Sequence, residues 1–562
     1  MKMKNNIIHN PKALAAAYYI TALMLPVLIL AYTEKNPLWE TLAGILLPLG
    51  AYTAFAALAR RSGVMVWCGV VFIFLSAFQI VLSYLFGNSI IATDMFLNLT
   101  TTNPGEASEL LSNIYPSVIV VCVIYIPLLT IAAIHIRRRV TLPDGTRRKM
   151  LRTGGAVMAA GIVVLVLGCR GQIRHVLRDE VFPVNVCYNM GLSISETNKI
   201  DRYAQTSEGF TFEATHQPLP QRQREIYVMI IGEASRAASW QLYGYHRDTN
   251  PELSKTDGIA VFRNVLTQSN TTHKSVPMIL SSIHTSQHDE IYRRKGLPQL
   301  FNEAGFTTYF ISNQSPQGAM IDNLALDSQH VVYIDSPRYD MQMVDAVRKA
   351  LKEDHSDKIL FILHSYGSHF SYHQRYPRRY AAFLPDDDVA INPRHIDEIR
   401  NAYDNSIVYT DHVIAEMIRT LASTEACTAL FYCADHGEDL YDKCDERFLH
   451  ASPTVTYYQL HVASLAWFSP EYGRLFPEKV RAAHENCFAP ATSYSVFHTV
   501  ADMASITSPY CNEQASLLSP EFDYGATRYY LNDHNEAVAL DEQIGIDAMQ
   551  RDNFARMGIM LP

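Results

Sequence analysis

The stretch Phe431-Tyr-Cys-Ala-Asp-His-Gly-Glu-Asp439 joins an apolar run, which begins near Thr428, directly to Asp435 and His436. A short apolar run of this kind is typical of a buried strand in an open α/β sheet. Ligands in such folds bind just beyond the carboxyl ends of the strands. The Asp-His pair is therefore predicted to form half of a metal site.

Two other apolar runs end in polar side chains in the same way. Residues 226–231 lead through a glycine into Glu233, and residues 359–363 lead into a segment bounded by His364 and His369. Because the carboxyl ends of parallel strands meet at one edge of a sheet, we expect these side chains and the Asp-His pair to converge. Carboxylate and imidazole groups are ligands that zinc accepts.

A hydroxyl-rich turn lies between the first two of these strands. It covers residues 269–278 and leads into a predicted helix. The amino-terminal end of a helix carries partial positive charge, and a hydroxyl group there becomes a nucleophile once a base or a metal activates it. The turn is therefore a candidate position for a catalytic nucleophile.

Strand and helix patterns alternate over the rest of the carboxyl-terminal part of the chain. The predicted strands include residues 307–312, 331–335 and 463–468, and the predicted helices include residues 341–351 and 395–422. This alternation indicates one α/β domain with a mostly parallel sheet. We assign residues 224–562 to this predicted catalytic domain.

The composition indicates that part of the chain lies in a membrane. Of 562 residues, 48% are hydrophobic and 18% are charged. Five windows in the first 170 residues are apolar over about 20 residues, the length that crosses a bilayer; they are residues 13–32, 38–58, 64–86, 116–136 and 154–169. Five such runs in a soluble protein would leave hardly any amphipathic surface, so residues 1–170 are predicted to form a five-helix transmembrane domain.

The basic residues predict the orientation of these spans. They lie before the first span (Lys2, Lys4, Lys12), after the second (Arg60, Arg61) and between the fourth and fifth (from Arg137 to Arg152), whereas the remaining loops hold only Lys35. The positive-inside rule then keeps the amino terminus in the cytoplasm and exports everything beyond Arg170. The net charge of -9 and the absence of long basic runs beyond the first third exclude nucleic acid as the main partner.

Two segments are predicted to lie at the outer membrane surface. Residues 88–115 form a semi-apolar loop between spans three and four, in which Asn98, Thr102 and Glu106 recur every four positions. Residues 171–223 are interpreted as an interfacial bridge and linker. The cysteines of the exported part allow many disulfide pairings, among which the sequence does not choose; Cys433 is interpreted as a buried apolar residue in preference to a metal ligand.

The ordered motifs resemble those of the lipid A phosphoethanolamine transferases of Gram-negative bacteria, in the alkaline phosphatase and sulfatase superfamily. The resemblance extends from the first span nearly to the carboxyl terminus. The motifs are Gly232-Glu-Ala-Ser-Arg236, Leu242-Tyr-Gly-Tyr245, Ser275-Val-Pro277, His364-x-x-Gly-Ser-His369, Arg375-Tyr-Pro377, Tyr403-Asp-Asn405 and Asp435-His-Gly-Glu438.

The resemblance implies a zinc-dependent phosphotransferase anchored in the inner, cytoplasmic membrane with its catalytic domain in the periplasm. Such an enzyme moves phosphoethanolamine from phosphatidylethanolamine to lipid A or another lipopolysaccharide or glycan acceptor, through a phospho-threonine intermediate. This modification is linked to polymyxin resistance. The sequence leaves the acceptor open.

The resemblance also implies roles for individual residues. One tight zinc site is expected on Glu233, Thr272, Asp435 and His436, while a second site is left open. Thr272 is the expected nucleophile, in preference to Thr271, because it stands three residues before Ser275. The expected catalytic and substrate-binding histidines are His369 and His450, and the expected substrate-binding residues near the membrane are Asn98, Thr102 and Glu106.

The chain departs from the family pattern at two places. The cysteines that bracket the nucleophile segment in many relatives are replaced, with Ser269 and Met278 nearby, and a Gly-Cys-Lys element becomes Ser315-Pro-Gln-Gly318.

Three alternative functions involve the same residues. A sulfatase needs Cys or Ser followed by x-Pro-x-Arg, and residues 275–279 lack the arginine. A glycerol-phosphate transferase, or another phosphodiester transferase or hydrolase of the superfamily, shares the threonine chemistry; a non-catalytic binding protein is disfavoured because the expected ligands are all present.

Overall fold

The computed structural model describes residues 11–34, 36–86, 90–101, 104–219, 223–316, 319–334, 339–387, 389, 391–442, 447–540 and 548–556. The chain forms two compact units. The first comprises Met1–Leu97 and Pro104–Ser195, and the second comprises Asn98–Asn103 and Glu196–Pro562. The predicted domain boundaries at residues 170 and 223 fall on either side of the division at Ser195 and stay a prediction.

Long apolar helices dominate the first unit. Its helices are α1 (Leu14–Thr33), α2 (Leu38–Ala56), α3 (Ser62–Cys68), α4 (Val70–Phe86), α5 (Thr93–Thr101), α6 (Pro104–Arg137) and α7 (Asp144–Gly168), and α8 (Val184–Asp201) follows. Within the described residues, α1, α2, Ile114–Arg137 of α6 and α7 are long and apolar enough to cross a membrane. The predicted third span differs, because it is divided into α3 and α4, which are bent by 61° to each other. It counts as a fifth span only if the bent pair is one span.

Gly69, which lies between the two helices, packs closely against Tyr19. The hydroxyl group of Tyr19 donates a hydrogen bond to the Gly69 carbonyl at 3.3 Å. A Cβ atom at this position would lie 2.0 Å from the Tyr19 hydroxyl oxygen, so only glycine admits the ring. Gly69 also closes α3, because its amide group donates to the carbonyl of Met65 at 2.9 Å.

A seven-stranded mixed sheet forms the core of the second unit. The strands are β1 (Glu225–Gly232), β2 (Ile259–Val261), β3 (Thr307–Ser312), β4 (His330–Tyr333), β5 (Lys358–His364), β6 (Cys427–Ala434) and β7 (Ser464–Phe468). Their order across the sheet is β2-β7-β6-β1-β5-β3-β4. Among these seven strands, β7 alone runs in the direction opposite to the other six. The predicted mostly parallel sheet is thus confirmed, and β7 is the exception.

The central strands are apolar along their whole length because both faces of the sheet are covered. Every residue of β1 and β6 is buried, which is the pattern of a parallel sheet with helices on both faces. The helices of this unit that follow in the chain are α9 (Thr272–Ile279), α10 (Leu297–Glu303), α11 (Met320–Ala325), α12 (Met341–Glu353), α13 (Ile396–Ala422), α14 (Pro470–Leu475), α15 (Pro477–Glu485), α16 (Tyr494–Met503) and α17 (Ala548–Arg556).

The carboxyl-terminal end of the predicted bridge and linker contains a two-residue strand, Thr215–His216. Thr215 and His216 pair in antiparallel register with Thr507 and Ile506. The His216 ring also lies 3.3 Å from a carboxylate oxygen of Glu225, at the start of β1. This end of residues 171–223 is therefore attached to the second unit by backbone and side-chain contacts.

Candidate active site and metal centre

The register of the two central strands places the acidic residues of the site side by side. Gly232 in β1 pairs with Ala434 in β6, so Glu233 and Asp435 leave adjacent parallel strands at the same level. The side chains of Glu233, Asp435 and His436 have no exposed surface. The three residues therefore form a fully buried group at the carboxyl edge of the sheet.

The donor atoms of this group converge. His436 Nε2 lies 3.3 Å from Glu233 Oε1 and 3.4 Å from Asp435 Oδ2, and one ligand atom from each of the three residues lies within 4.8 Å of the others. The other ring nitrogen, Nδ1, donates to the carbonyl of Gly437 at 2.8 Å. That bond leaves Nε2 facing the carboxylates, which is how metal-binding histidines are usually oriented.

Burial of two carboxyl groups together perturbs their ionisation. Burial and the charge of Glu233 raise the pKa of Asp435 to about 8. Burial also opposes ionisation of Glu233, but its hydrogen bond and charge interaction with His436 outweigh that effect and hold the Glu233 pKa below its usual range. Burial lowers the pKa of His436, and the charges of Asp435 and Glu233 more than reverse this, to about 10.

One carboxylate oxygen of Asp435 is left for a ligand. Asp435 Oδ1 accepts hydrogen bonds from the amide groups of Ala234 at 3.1 Å and His436 at 2.7 Å. Asp435 Oδ2 is buried and makes no hydrogen bond within the part of the chain that the structure describes. A buried carboxylate oxygen of this kind is costly unless a cation or a donor occupies it.

The hydroxyl group of Thr272 joins the same cluster. Thr272 is the first residue of α9, and its Oγ1 lies 3.1 Å from His436 Nε2 and 3.3 Å and 3.4 Å from the two carboxylate oxygens of Glu233. The hydroxyl group of Thr271 lies 3.3 Å from that of Ser269 instead. Thr272 is thus the threonine that the structure brings to the candidate metal ligands.

These donors fit a divalent metal ion. Two carboxylates, an imidazole nitrogen and a hydroxyl oxygen form a set of four oxygen and nitrogen ligands of the kind that zinc takes. A cation among them would also relieve the repulsion that raises the Asp435 pKa. Cys433 is not part of this set: it is buried in β6, and its Sγ lies 3.3 Å from the carbonyl of Ala434.

His450 belongs to a second group of ligand-type residues. His436, Glu438 and His450 also place one ligand atom each within 4.8 Å of the others. His450 Nδ1 lies 2.9 Å from Glu438 Oε2, and the rings of His436 and His450 have centroids 4.0 Å apart. Burial, together with the charge of His436, lowers the pKa of His450, which favours the neutral ring.

His369 lies near the site but outside both groups among the described residues. Its Nδ1 lies 2.6 Å from the carbonyl of Phe370, and its ring stacks on that of Tyr366 with centroids 5.2 Å apart. Arg375 donates to the His369 carbonyl at 2.9 Å. The charge of His369 contributes to the lowered pKa of Glu233, so the two side chains interact electrostatically.

The predicted membrane-proximal residues are not brought to this site by any described contact. Thr102 lies outside the described residues, and the side chains of Asn98 and Glu106 do as well, although their backbones belong to α5 and α6. α6 begins at Pro104, so the second half of the predicted loop is helical. The substrate-binding role of these three residues stays a prediction.

Sequence reasoning missed Gln314, which contacts the candidate ligands. Its Nε2 donates to Glu233 Oε2 at 2.9 Å and to the carbonyl of Ser365 at 2.8 Å. Gln314 follows β3 at the same edge of the sheet as Glu233. The strand-end rule that selected Glu233 therefore also points to Gln314, which directly precedes the departure from the family pattern at Ser315.

A second missed feature fixes the loop after β5. Asp340 accepts hydrogen bonds from the amide groups of Tyr366 at 2.8 Å and Gly367 at 2.9 Å. Gly367 has a φ of 43°, and a Cβ atom there would lie 2.7 Å from the Glu233 carbonyl oxygen. The loop therefore packs directly on the backbone of Glu233, and only glycine permits this approach.

Sequence comparisons relate the chain to characterised enzymes. Residues 225–506 match the family model described as Sulfatase. The chain is 28% identical to the phosphoethanolamine transferase EptC of Escherichia coli strain K12 over 335 residues, and the aligned region covers 56% of each protein. It therefore spans about half the length of this curated relative. It is also 24% identical over 526 residues to the Kdo(2)-lipid A phosphoethanolamine 7''-transferase of Salmonella typhimurium, covering 85% of this chain and 90% of that protein.

Solved structures share the fold. The integral membrane protein lipooligosaccharide phosphoethanolamine transferase A (EptA) from Neisseria meningitidis matches with a TM-score of 0.70 and 20% identity, over 89% of this chain and 98% of that one. The periplasmic domain of EcEptC from Escherichia coli, in complex with Zn, matches with a TM-score of 0.52 and 23% identity, over 59% and 98%. These likenesses confirm the predicted fold, with several apolar amino-terminal helices and a carboxyl-terminal sulfatase-like domain.

Proposed function

The chain belongs to the sulfatase family and is homologous to phosphoethanolamine transferases, and on this premise we propose that it transfers phosphoethanolamine from phosphatidylethanolamine to lipid A or another lipopolysaccharide or glycan acceptor. The observation that carries the proposal is the position of the Thr272 hydroxyl, 3.1 Å from His436 and 3.3 Å from Glu233. A nucleophile inside a set of metal ligands is the arrangement that phosphoryl transfer needs.

The residues that would hold zinc are Glu233, Thr272, Asp435 and His436. Zinc bound there would favour the deprotonated form of the Thr272 hydroxyl and neutralise negative charge that develops on a phosphoryl group. The protein contributes the orientation of these ligands. His436 is fixed through its bond to Gly437, and Glu233 is held by Gln314.

The reaction has two balanced steps. In the first, Thr272 Oγ1 attacks the phosphorus of the donor, the bond to the diacylglycerol oxygen breaks, and diacylglycerol leaves with a proton. In the second, an acceptor oxygen attacks the same phosphorus, and Thr272 is released with its hydroxyl restored. We assign protonation of the leaving group or binding of the phosphate to His369 and His450.

Two observations disfavour sulfate-ester hydrolysis in spite of the family name. The segment from Ser275 to Ile279 lacks the arginine that the formylglycine motif requires. Ser275 is also fully buried, and its hydroxyl makes no hydrogen bond among the described residues. The side chain at the candidate ligands is that of Thr272 instead.

We also propose that apolar helices of the first unit anchor the protein in the inner membrane, with the catalytic unit in the periplasm. The donor keeps its acyl chains in the bilayer, so a headgroup-binding surface is needed at the membrane. Asn98, Thr102 and Glu106 are the residues proposed for that surface, on the basis of the sequence resemblance.

The test uses the full-length protein reconstituted in vesicles that contain phosphatidylethanolamine and lipid A, with the products analysed by mass spectrometry. We expect phosphoethanolamine-modified lipid A together with diacylglycerol. Vesicles that contain phosphatidylglycerol instead should give no product. Transfer of glycerol phosphate from those vesicles, with none from phosphatidylethanolamine, would contradict the proposal and support a glycerol-phosphate transferase.

A further inference from the structure

A small cavity adjoins the candidate metal centre at the carboxyl ends of β3, β4 and β5. The side chains and backbone that form it include Phe310, Ser312, Gln314, Asp322, Tyr333 and His364. Neither a lysine nor an arginine lines it among the described residues. The described part of its lining thus offers none of the cationic side chains that would bind a phosphate or a carboxylate.

His364 lines this cavity and has one ring nitrogen without a hydrogen-bond partner among the described residues. The hydroxyl of Ser312 donates to the carbonyl of Gln314 at 2.9 Å, so it accepts from His364 Nδ1, which lies 3.3 Å away. His364 Nε2 then carries a lone pair, and it is buried without a hydrogen-bond partner among the described residues. Burial also lowers the pKa of His364 to about 4, which keeps the ring neutral.

Asp322 adds a negative charge to the same cavity. Its Oδ1 accepts from the hydroxyl of Tyr333 at 2.7 Å, and its Oδ2 accepts from the amide of Ala319 at 3.3 Å. An imidazole acceptor, a carboxylate and the rings of Phe310 and Tyr333 form surroundings that suit a small cation with several N–H donors.

Gln314 connects the cavity to the reacting groups. It lines the cavity, and its side-chain amide donates to Glu233 at 2.9 Å, the residue whose carboxylate lies 3.3 Å from the Thr272 hydroxyl. A phosphoethanolamine group on Thr272 has a primary ammonium two carbons beyond its phosphate ester. Once diacylglycerol has left, that ammonium depends on the catalytic unit for a partner.

We propose that the cavity between His364 and Asp322 binds the ethanolamine ammonium of the transferred group. This inference rests on the proposed function and names the part of the site that selects the headgroup.

The test compares two water-soluble esters with the full-length protein in detergent: para-nitrophenyl aminoethyl phosphate, and para-nitrophenyl propyl phosphate, in which a methyl group replaces the ammonium. The wild type should cleave the aminoethyl ester with the higher kcat/KM. Asp322→Asn should lower kcat/KM for that ester by about tenfold, the scale of a charge-assisted contact, and leave the propyl ester unchanged. Asp322→Glu should recover part of the preference.

Asp345→Asn is the matched control, because Asp345 is an exposed carboxylate on α12 that pairs with Arg348; it should change neither rate. Equal slowing of both esters in Asp322→Asn, or an unchanged preference, would overturn the ammonium site while leaving the proposed function intact. A wild type that cleaves both esters equally well would likewise overturn the ammonium site, whereas the donor is tested separately by transfer from phosphatidylethanolamine vesicles. Melting temperatures of all variants exclude unfolding as the cause of a loss.

Discussion

The hydroxyl oxygen of Thr272 lies 3.1 Å from Nε2 of His436, although the two residues are 164 positions apart in the chain. Thr272 begins α9, and His436 follows β6. The contact therefore joins a helix end, which carries partial positive charge, to the carboxyl edge of the sheet. The proposed nucleophile and the proposed metal ligands therefore lie together.

The full-length protein should contain tightly bound zinc in near-equimolar amount, because four donor side chains converge in a buried site. Elemental analysis should find this zinc in the wild type and in the control Asp345→Asn, and lose it in Glu233→Ala and Asp435→Ala. Removal of metal by a chelator should abolish transfer, and added zinc should restore it. A wild type that transfers phosphoethanolamine without any bound metal would contradict the site.

Gln314→Leu should weaken zinc binding by about 10- to 100-fold, the usual effect of removing a residue that orients a metal ligand. The reason is that Glu233 Oε2 loses the donor that now lies 2.9 Å away. Competition titration with a zinc chelator of known affinity measures this change. Gln314→Glu is a sharper variant, since it places a second negative charge against Glu233. Unaltered zinc affinity in both variants would show that Glu233 does not need this contact.

Gly367→Ala should disrupt the site by crowding the backbone and the Cβ atom of Glu233. The new Cβ would lie 2.7 Å from the Glu233 carbonyl oxygen and 2.9 Å from its amide nitrogen, and the positive φ adds strain of about 1–3 kcal/mol. Both zinc content and activity should fall. Gly473→Ala is the matched control, because nothing lies within 4 Å of a Cβ atom at that position in α14. Full activity in Gly367→Ala would mean that the loop yields without moving Glu233.

Thr272→Ala should lower transfer on the order of a thousandfold or more, since it removes the only proposed nucleophile, while three metal ligands remain. Thr271→Ala should retain activity, because its hydroxyl lies by Ser269. Initial rates and zinc content of the two variants show which of the two threonines is the nucleophile. The reverse result would place the nucleophile one residue earlier.

The strand ends were predictable from the sequence, because apolar runs that stop at polar residues mark the carboxyl ends of buried strands in an α/β sheet. Glu233, Asp435 and His436 come together through strand register alone. Their assigned roles stay predictions. The fold followed from the same runs, together with the long apolar windows of the first unit.

Other features depend on contacts that no local pattern encodes. Gly69, at the break between α3 and α4, contacts Tyr19, which is 50 residues away in the chain. The acceptor face of His364 depends on which way the Ser312 hydroxyl donates. Thr215 and His216 appear polar and linker-like, yet they pair with residues 506 and 507 far along the chain.

We propose that Thr272 carries the phosphoethanolamine group between donor and acceptor. The most direct measurement is mass spectrometry of peptides from the full-length protein after incubation with phosphatidylethanolamine vesicles in the absence of acceptor. We predict that the peptide containing Thr272 gains the mass of one phosphoethanolamine, that fragmentation places it on Thr272, and that added lipid A removes it. Transfer that proceeds at the normal rate in Thr272→Ala, or a modification that fragmentation places on another residue, would show that Thr272 does not carry the group.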